Sequence, residues 1–208
     1  MTRGKFITIE GVEGVGKTTN IAFIEDYFKQ IGQNIILTRE PGGTPLAERI
    51  RELLLDARQT SMTDDTELLL MFAARAQHLN EKIIPALETG QWVICDRFTD
   101  ATYAYQGGGR GIDKNRIASL ENWVQGDLRP DITLLLDLPV EEGLKRAGQR
   151  SAPDRFEQEQ QTFFERVRAT YLELVEENPA RYRIIDARGS IDEVQSRIKT
   201  VLDELTNG

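Results

Sequence analysis

Residues 11–18 read Gly11-Val12-Glu13-Gly14-Val15-Gly16-Lys17-Thr18, a full match to G-x-x-x-x-G-K-[ST]. Nothing else in the chain restricts its fold as strongly. The preceding run Phe6-Ile7-Thr8-Ile9 has the composition of a buried strand, and Thr19 to Phe28 reads as a helix. In that order, strand, glycine-rich turn and helix let backbone N–H groups converge on an anion, with the positive end of the helix behind them. The motif assigns Lys17 to the β- and γ-phosphates of a nucleotide and the Thr18 hydroxyl to Mg²⁺. A turn that only started a helix would need neither side chain. The motif marks a phosphate site and leaves the reaction open.

The rest of the chain supplies the expected partners of such a turn. Strand patterns at Phe6–Glu10, Asn34–Thr38, Gln91–Cys95, Ile132–Leu136 and Tyr182–Asp186 alternate with helical stretches. Continuous apolar runs such as Thr133-Leu134-Leu135-Leu136 suit strands covered on both faces. This predicts an α/β fold, a three-layer P-loop NTPase sandwich with a five-stranded parallel sheet flanked by helices. The length of 208 residues fits one such domain, residues 1–208, with a full core. Ligands in these sheets sit beyond the carboxyl ends of the strands.

Chemistry-bearing residues do follow the strands. Arg39-Glu40-Pro41-Gly42-Gly43 comes after the second strand, and the next helix, about Pro45 to Leu55, carries Arg49 and Arg51. By composition Arg39 and Arg51 read as surface charges, but its position at the strand end favours Arg39 as a ligand. The third strand closes on Asp96-Arg97. A carboxylate ending an apolar strand is the pattern that binds Mg²⁺ in P-loop enzymes. Asp137 is the second candidate. Asp96 is preferred because Arg97 beside it suits a phosphate site, whereas Asp137 leads into a helix that it can cap.

The longest helical pattern runs from about Thr66 to Thr89, with Asp64, Asp65 and Glu67 at its start, favourable for the helix dipole. Phe72 and Arg75 are neighbours on one of its sides. An arginine on an apolar face needs a partner, and a flat, polar-edged ligand would serve both residues. His78, the sole histidine, reads as surface or helix packing. Gly107-Gly108-Gly109-Arg110-Gly111 reads as a flexible turn. Between two helical stretches, the segment from Arg146 through Arg150 to Arg155 is basic and rich in loop formers. In a phosphate-binding enzyme such a segment can form a lid, here about 146–157. The stretch from Glu157 to Glu177 reads as helical.

The net charge of −8 argues against a broad nucleic-acid surface but allows a local arginine cluster for a small polyanion. Cys95 is the only cysteine and reads as a small core residue. No internal disulfide is possible. No apolar run spans a bilayer and no signal-peptide core opens the chain. A cytoplasmic protein without membrane contact is expected.

Together, Glu10 to Thr19, Arg39 to Gly43, Phe72-Ala73-Ala74-Arg75, Asp96-Arg97-Phe98, Ala104 to Gly107 and the Asp154-Arg155-Phe156-Glu157 end of the lid resemble the thymidylate kinase (dTMP kinase) family. The resemblance covers the whole chain. It implies a nucleoside-monophosphate-kinase-like fold and the reaction of ATP with dTMP to ADP and dTDP, with Mg²⁺, in dTTP biosynthesis. It implies that Lys17 and the loop amides of Gly11 to Thr19 hold the ATP phosphates, with Arg188 near adenine. It implies that Arg97 holds the dTMP phosphate with Arg39 nearby, that Phe72 stacks on thymine, and that Arg75 with Thr102 and Gln106 reads the base. Glu40, Pro41 and Arg51 then line the acceptor pocket, Tyr105 crowds a ribose 2′-hydroxyl, and Glu13 approaches the 3′-hydroxyl. Gly14 stands where other members carry a loop arginine, so the catalytic charge falls to Arg150 and Arg155 of the lid. Ala101 replaces the family's usual serine. Members are typically homodimers, which the sequence does not itself show.

The rivals are another pyrimidine nucleoside-monophosphate or deoxynucleoside kinase, and a P-loop GTPase switch. The switch needs an Asn-Lys-x-Asp signature, and Asp113-Lys114-Asn115-Arg116 is not one.

Overall fold

The computed structural model describes residues 3–148 and 154–207. Its five strands, β1 (Phe6–Glu10), β2 (Ile35–Arg39), β3 (Trp92–Asp96), β4 (Ile132–Asp137) and β5 (Tyr182–Asp186), pair in the order β2-β3-β1-β4-β5. All pairs are parallel, with Ile7 of β1 opposite Ile94 of β3 and Ile132 of β4. β1 is therefore central, and the loop that follows it opens in the middle of the sheet's carboxyl edge. The expected α/β class and sheet are found.

The helices are α1 (Lys17–Gln30), α2 (Pro45–Leu55), α3 (Asp64–His78), α4 (Ile84–Glu88), α5 (Thr99–Thr102), α6 (Lys114–Gln125), α7 (Val140–Ala147), α8 (Gln161–Glu177) and α9 (Ile191–Asn207). Alternation along β1 sends adjacent residues to opposite faces. Ile7 and Ile9 pack with Ile24 and Phe28 of α1 and Ile198 and Leu202 of α9. Phe6 packs with Leu79, Ile83 and Leu87. Both faces are thus covered, as the near-continuous apolar strands require. Thr44 caps α2, accepting from the Ala47 amide at 3.4 Å, and Pro45 follows at the first helical position.

Four expectations change. The helix expected over residues 66–89 is α3, a wider π turn at Leu79–Ile83, and α4. Pro85, which has no N–H to donate, lies just past the wide turn. The helix expected from Glu157 starts at Gln161. The glycines at 107–109 are not a flexible turn. Tyr103–Gly109 is π-helical and packs on α8. A Cβ on Gly108 would overlap the Thr170 hydroxyl, and one on Gly109 would overlap the Phe163 ring. Absent side chains here permit close contact between the two segments. Of the two readings of His78, packing holds and surface does not. The side chain is fully buried between Thr38 and Glu40.

Candidate active site

The turn from Gly11 to Gly16 joins β1 to α1. Val12 and Val15 are buried in the core and anchor it. Gly16 precedes α1 with φ of 89° and no side-chain cap, so the first amides of a 14-residue helix stay available to an anion. Lys17 donates to the Gly11 and Val12 carbonyls at 3.0 Å each, which folds its ammonium back over the loop. Burial depresses its pKa, and the charge of Arg97 adds to that. Gly14 has φ of 74°, and a Cβ there would overlap the Gly143 carbonyl oxygen in α7. A Cβ on Gly143 would in turn come within 2.5 Å of the Glu13 carbonyl oxygen. The loop is therefore sealed against α7 backbone to backbone.

Beyond β3, Arg97 takes φ of 66°, unusual for a residue with a side chain, and its amide donates to Ile9 at 3.0 Å. One Arg97 guanidinium nitrogen donates to both Glu13 carboxylate oxygens, at 2.9 and 2.8 Å. Its guanidinium carbon lies 4.7 Å from the Tyr105 ring centroid, and the Tyr105 hydroxyl donates to Glu13 at 3.0 Å. Burial would raise the Glu13 pKa, but the charges of Arg97 and Lys17 outweigh it and hold it low. Glu13 and Arg97 are thus both charged, in one cleft beside the loop.

The other end of that cleft is built from side chains. Arg75 is buried at 2% exposure. Its Nε donates to Glu40 at 2.7 Å and its Nη2 to Thr102 at 3.0 Å. Glu40 also bonds His78 Nδ1 at 3.0 Å, and His78 Nε2 bonds the Thr38 hydroxyl at 2.6 Å. Among the described residues, Arg75 Nη1 and Asp96 Oδ1 are buried polar atoms without a partner, and both residues line this cleft. A buried group without a partner is costly, so each is a place where a ligand gains. Pro41, Arg51, Thr102, Tyr105 and Gln106 line the same cleft with Glu13, Gly14, Gly16, Lys17 and Thr18. Arg51 is held by the Pro41 carbonyl at 2.9 Å.

One cleft thus joins an NTP-type loop to an anchored arginine with one unpartnered donor. Comparison with known proteins decides the family. The profile of the thymidylate kinase family matches residues 9–198. The chain is 60% identical over 202 residues to a thymidylate kinase of Pseudomonas savastanoi pv. phaseolicola, covering 97% of this chain and 96% of that one. It is 57% identical over 203 residues to one from Alkalilimnicola ehrlichii, covering 97% and 94%. The chain belongs to the thymidylate kinase family. A crystal structure of the Ehrlichia chaffeensis thymidylate kinase superposes with a TM-score of 0.78 at 36% identity, covering 97% of this chain and 99% of that one.

Some residues singled out in the sequence lie away from the cleft wall. Thr19 is exposed. Phe72 sits in a buried cluster with Leu68, Ile112 and Ile117, with the Arg75 guanidinium carbon 4.8 Å from its ring centroid. Arg39 is exposed and paired with Glu48 at 2.9 Å, beside a neighbouring groove shared by Thr18 and Asp96. Arg188 is exposed and paired with Asp186 at 2.8 Å. Arg155 donates to Glu67 at 2.6 Å and to the Leu54 carbonyl at 2.8 Å. Arg150 lies outside the described residues. Asp137, the second metal candidate, accepts from Arg168 at 2.7 and 2.8 Å.

Two buried acids were not anticipated as site components. Glu10 accepts from the Phe98 amide and the Tyr171 hydroxyl, at 2.7 Å each. It therefore fixes the turn that carries Arg97. Like Asp96, it closes an apolar strand, and that shared pattern was the available signal. Glu67, expected only to favour the helix dipole, is 1% exposed.

Proposed function

We infer that the protein phosphorylates dTMP to dTDP with ATP, as a nucleoside-monophosphate kinase. The observation that carries this reading is the unpartnered Nη1 of the buried Arg75, in the same cleft as the phosphate loop and Arg97. Family membership supports it. A phosphate oxygen of dTMP attacks the γ-phosphorus of ATP, the new P–O bond forms, and the bond to ADP breaks. The acceptor phosphate has a second pKa of about 6 and needs no general base. The chain's task is to position two anions and offset their repulsion. Lys17 and the amides of the Gly11–Thr18 loop hold the ATP phosphates, and Arg188 lies toward adenine. Arg97 takes the dTMP phosphate once Glu13 turns to the 3′-hydroxyl, with Arg39 nearby. Arg75 and Gln106 bond the base with Thr102, Phe72 backs it, Glu40 fixes Arg75, and Pro41 and Arg51 line its pocket. Tyr105 selects deoxyribose.

The residues suit Mg²⁺. Asp96 offers a buried oxygen without a partner, and Thr18 borders the same cleft. No cluster of three or more His, Cys, Asp or Glu suited to a metal occurs among the described residues. Mg²⁺ is commonly held by one or two carboxylates together with substrate phosphates, and Asp96 and Thr18 are the residues that would hold it here. Bound there, it would neutralise phosphate charge.

The protein reads as one catalytic domain over residues 1–208, with residues 146–157 as its lid. Arg150 is assigned to the transferred group and Arg155 to the lid's attachment. No helix among the described residues is long and apolar enough to cross a membrane, and the cytoplasm is the proposed setting. A homodimer is proposed from exposed Leu46 and Leu53 on α2, Leu69 on α3 and Trp123 on α6, helices that pack in sequence. Light scattering at the dimer mass checks this, and a monomer mass refutes it.

The test of the activity is ADP release across nucleoside monophosphates. We expect dTMP to exceed dUMP, dCMP and dAMP by a wide margin. Equal turnover of any of these would overturn the assignment.

A further inference from the structure

We propose that Glu67 is a positioning residue that holds the cleft wall and the returning end of the lid as one unit, so that acceptor binding and transfer depend on a carboxylate that touches neither substrate. This rests on the dTMP kinase reading. Glu67 lies in the first turn of α3 at 1% exposure. Its Oε1 accepts from Gln106 Nε2 at 2.7 Å and from Arg110 Nε at 3.4 Å. Its Oε2 accepts from Arg155 at 2.6 Å and from Arg110 Nη2 at 3.3 Å. Arg110 also pairs with Glu159. Asp64 lies 3.8 Å from Arg110 as well, so three acids face two arginines, and Glu67 is the one they share.

Consequences for the cleft follow from what these partners touch. Gln106 lines it directly. Phe156, also on its wall, has the guanidinium carbon of Arg155 4.6 Å and that of Arg110 5.7 Å from its ring centroid. Phe156 meets the Tyr105 ring edge-on at 5.9 Å between centroids. Tyr105 in turn bonds Glu13 and stacks on Arg97. Arg155 is tied to the end of α2 as well, its amide donating to the Leu55 carbonyl at 3.2 Å. Without the Glu67 charge, Arg155 loses its buried counter-charge and Arg110 is drawn toward Glu159 and Asp64, so both arginines and the rings packed on them shift. Gln106, Phe156 and Tyr105 would then move together, at the base and sugar end, while the glycine loop would keep its own backbone bonds.

The test is Glu67→Gln, which keeps the volume and removes the charge, read by steady-state kinetics with each substrate varied. We expect KM for dTMP to rise about tenfold and kcat to fall about tenfold, with KM for ATP within about twofold of the parent. In a cycle with Arg155→Gln, the second substitution should add less than about twofold in kcat to the first. Kinetic constants unchanged in a protein that is merely less heat-stable would overturn the proposal, since that is what a structural tie alone predicts. So would equal rises in both KM values. Should Glu67→Gln fail to fold, Arg110→Gln is read by the same criteria for the two substrates. A parent protein inactive on dTMP overturns the functional reading and this inference with it. An active parent with an indifferent variant overturns this inference alone.

Discussion

The two ends of the cleft are made of different material. The phosphate end is backbone: Gly11, Gly14 and Gly16 all have positive φ, and the loop rests on α7 through Gly14 and Gly143. The base end is side chain, a run from half-buried Thr38 through buried His78, Glu40, Arg75 and Thr102 joined by hydrogen bonds. A backbone-built site has no room to spare, so adding an atom damages it. A side-chain-built site depends on balanced charge, so removing an atom damages it.

The sharpest break of that contrast is Gly14→Ala. One methyl group would meet the Gly143 carbonyl at a backbone angle that alanine resists. We expect kcat to fall about 10²-fold or more through displacement of the loop, with circular dichroism unchanged. Near-parental turnover would show that the loop is not sealed in this way. Arg75→Ala tests the other end. It leaves Glu40 buried with His78 and removes the open Nη1 donor. We expect KM for dTMP to rise about 10- to 100-fold while KM for ATP stays put, and Arg75→Lys to restore little, because a point charge cannot replace a planar fork. An unchanged KM with lowered heat stability would make Arg75 a core residue only.

The same contrast explains what could be read in the sequence. The loop at residues 11–18 is legible because local backbone geometry dictates its residue types in consecutive positions. The sheet is legible because its strands are short, largely apolar runs rich in β-branched residues, even where β5 carries Arg183. Arg75 stood out as a charge on an apolar helix face, but Gln106 stood out only through resemblance, since its meaning depends on elements far apart in the chain. His78 reads as packing or surface by itself, and only the fold shows it wedged between Thr38 and Glu40. Glu67 satisfies a helix-start rule as written, which hid its second role. The glycines at 107–109 follow a turn rule and yet form a helical segment, because the close approach of α8 is a tertiary fact.

Glu10 sits at the seam between the two regions, and it gives the smallest and most specific test. It ends β1, immediately before the loop, and holds the Phe98 amide next to Arg97. Burial first, and the charge of Asp100 second, push its pKa from 4.5 up to about 8, against the opposing effects of Tyr171, Arg97 and the Phe98 amide. An acid with a raised folded-state pKa favours the fold fully below its unfolded value. That advantage drains away as the pH rises toward about 8, because the native state must give up a proton it holds more tightly than the unfolded chain does. Glutamine keeps a carbonyl for the Phe98 amide, can face the Tyr171 hydroxyl with its amide, and cannot ionise. The melting temperature of Glu10→Gln relative to the parent should therefore climb between about pH 5 and about pH 8.5, by on the order of 10 °C. Calorimetry of both proteins across that range measures it. A difference that stays flat with pH would mean that Glu10 is ionised throughout, with Tyr171 and Arg97 outweighing burial. The turn bearing Arg97 would then be held by a full charge, and the seam would belong with the charge-balanced end of the cleft.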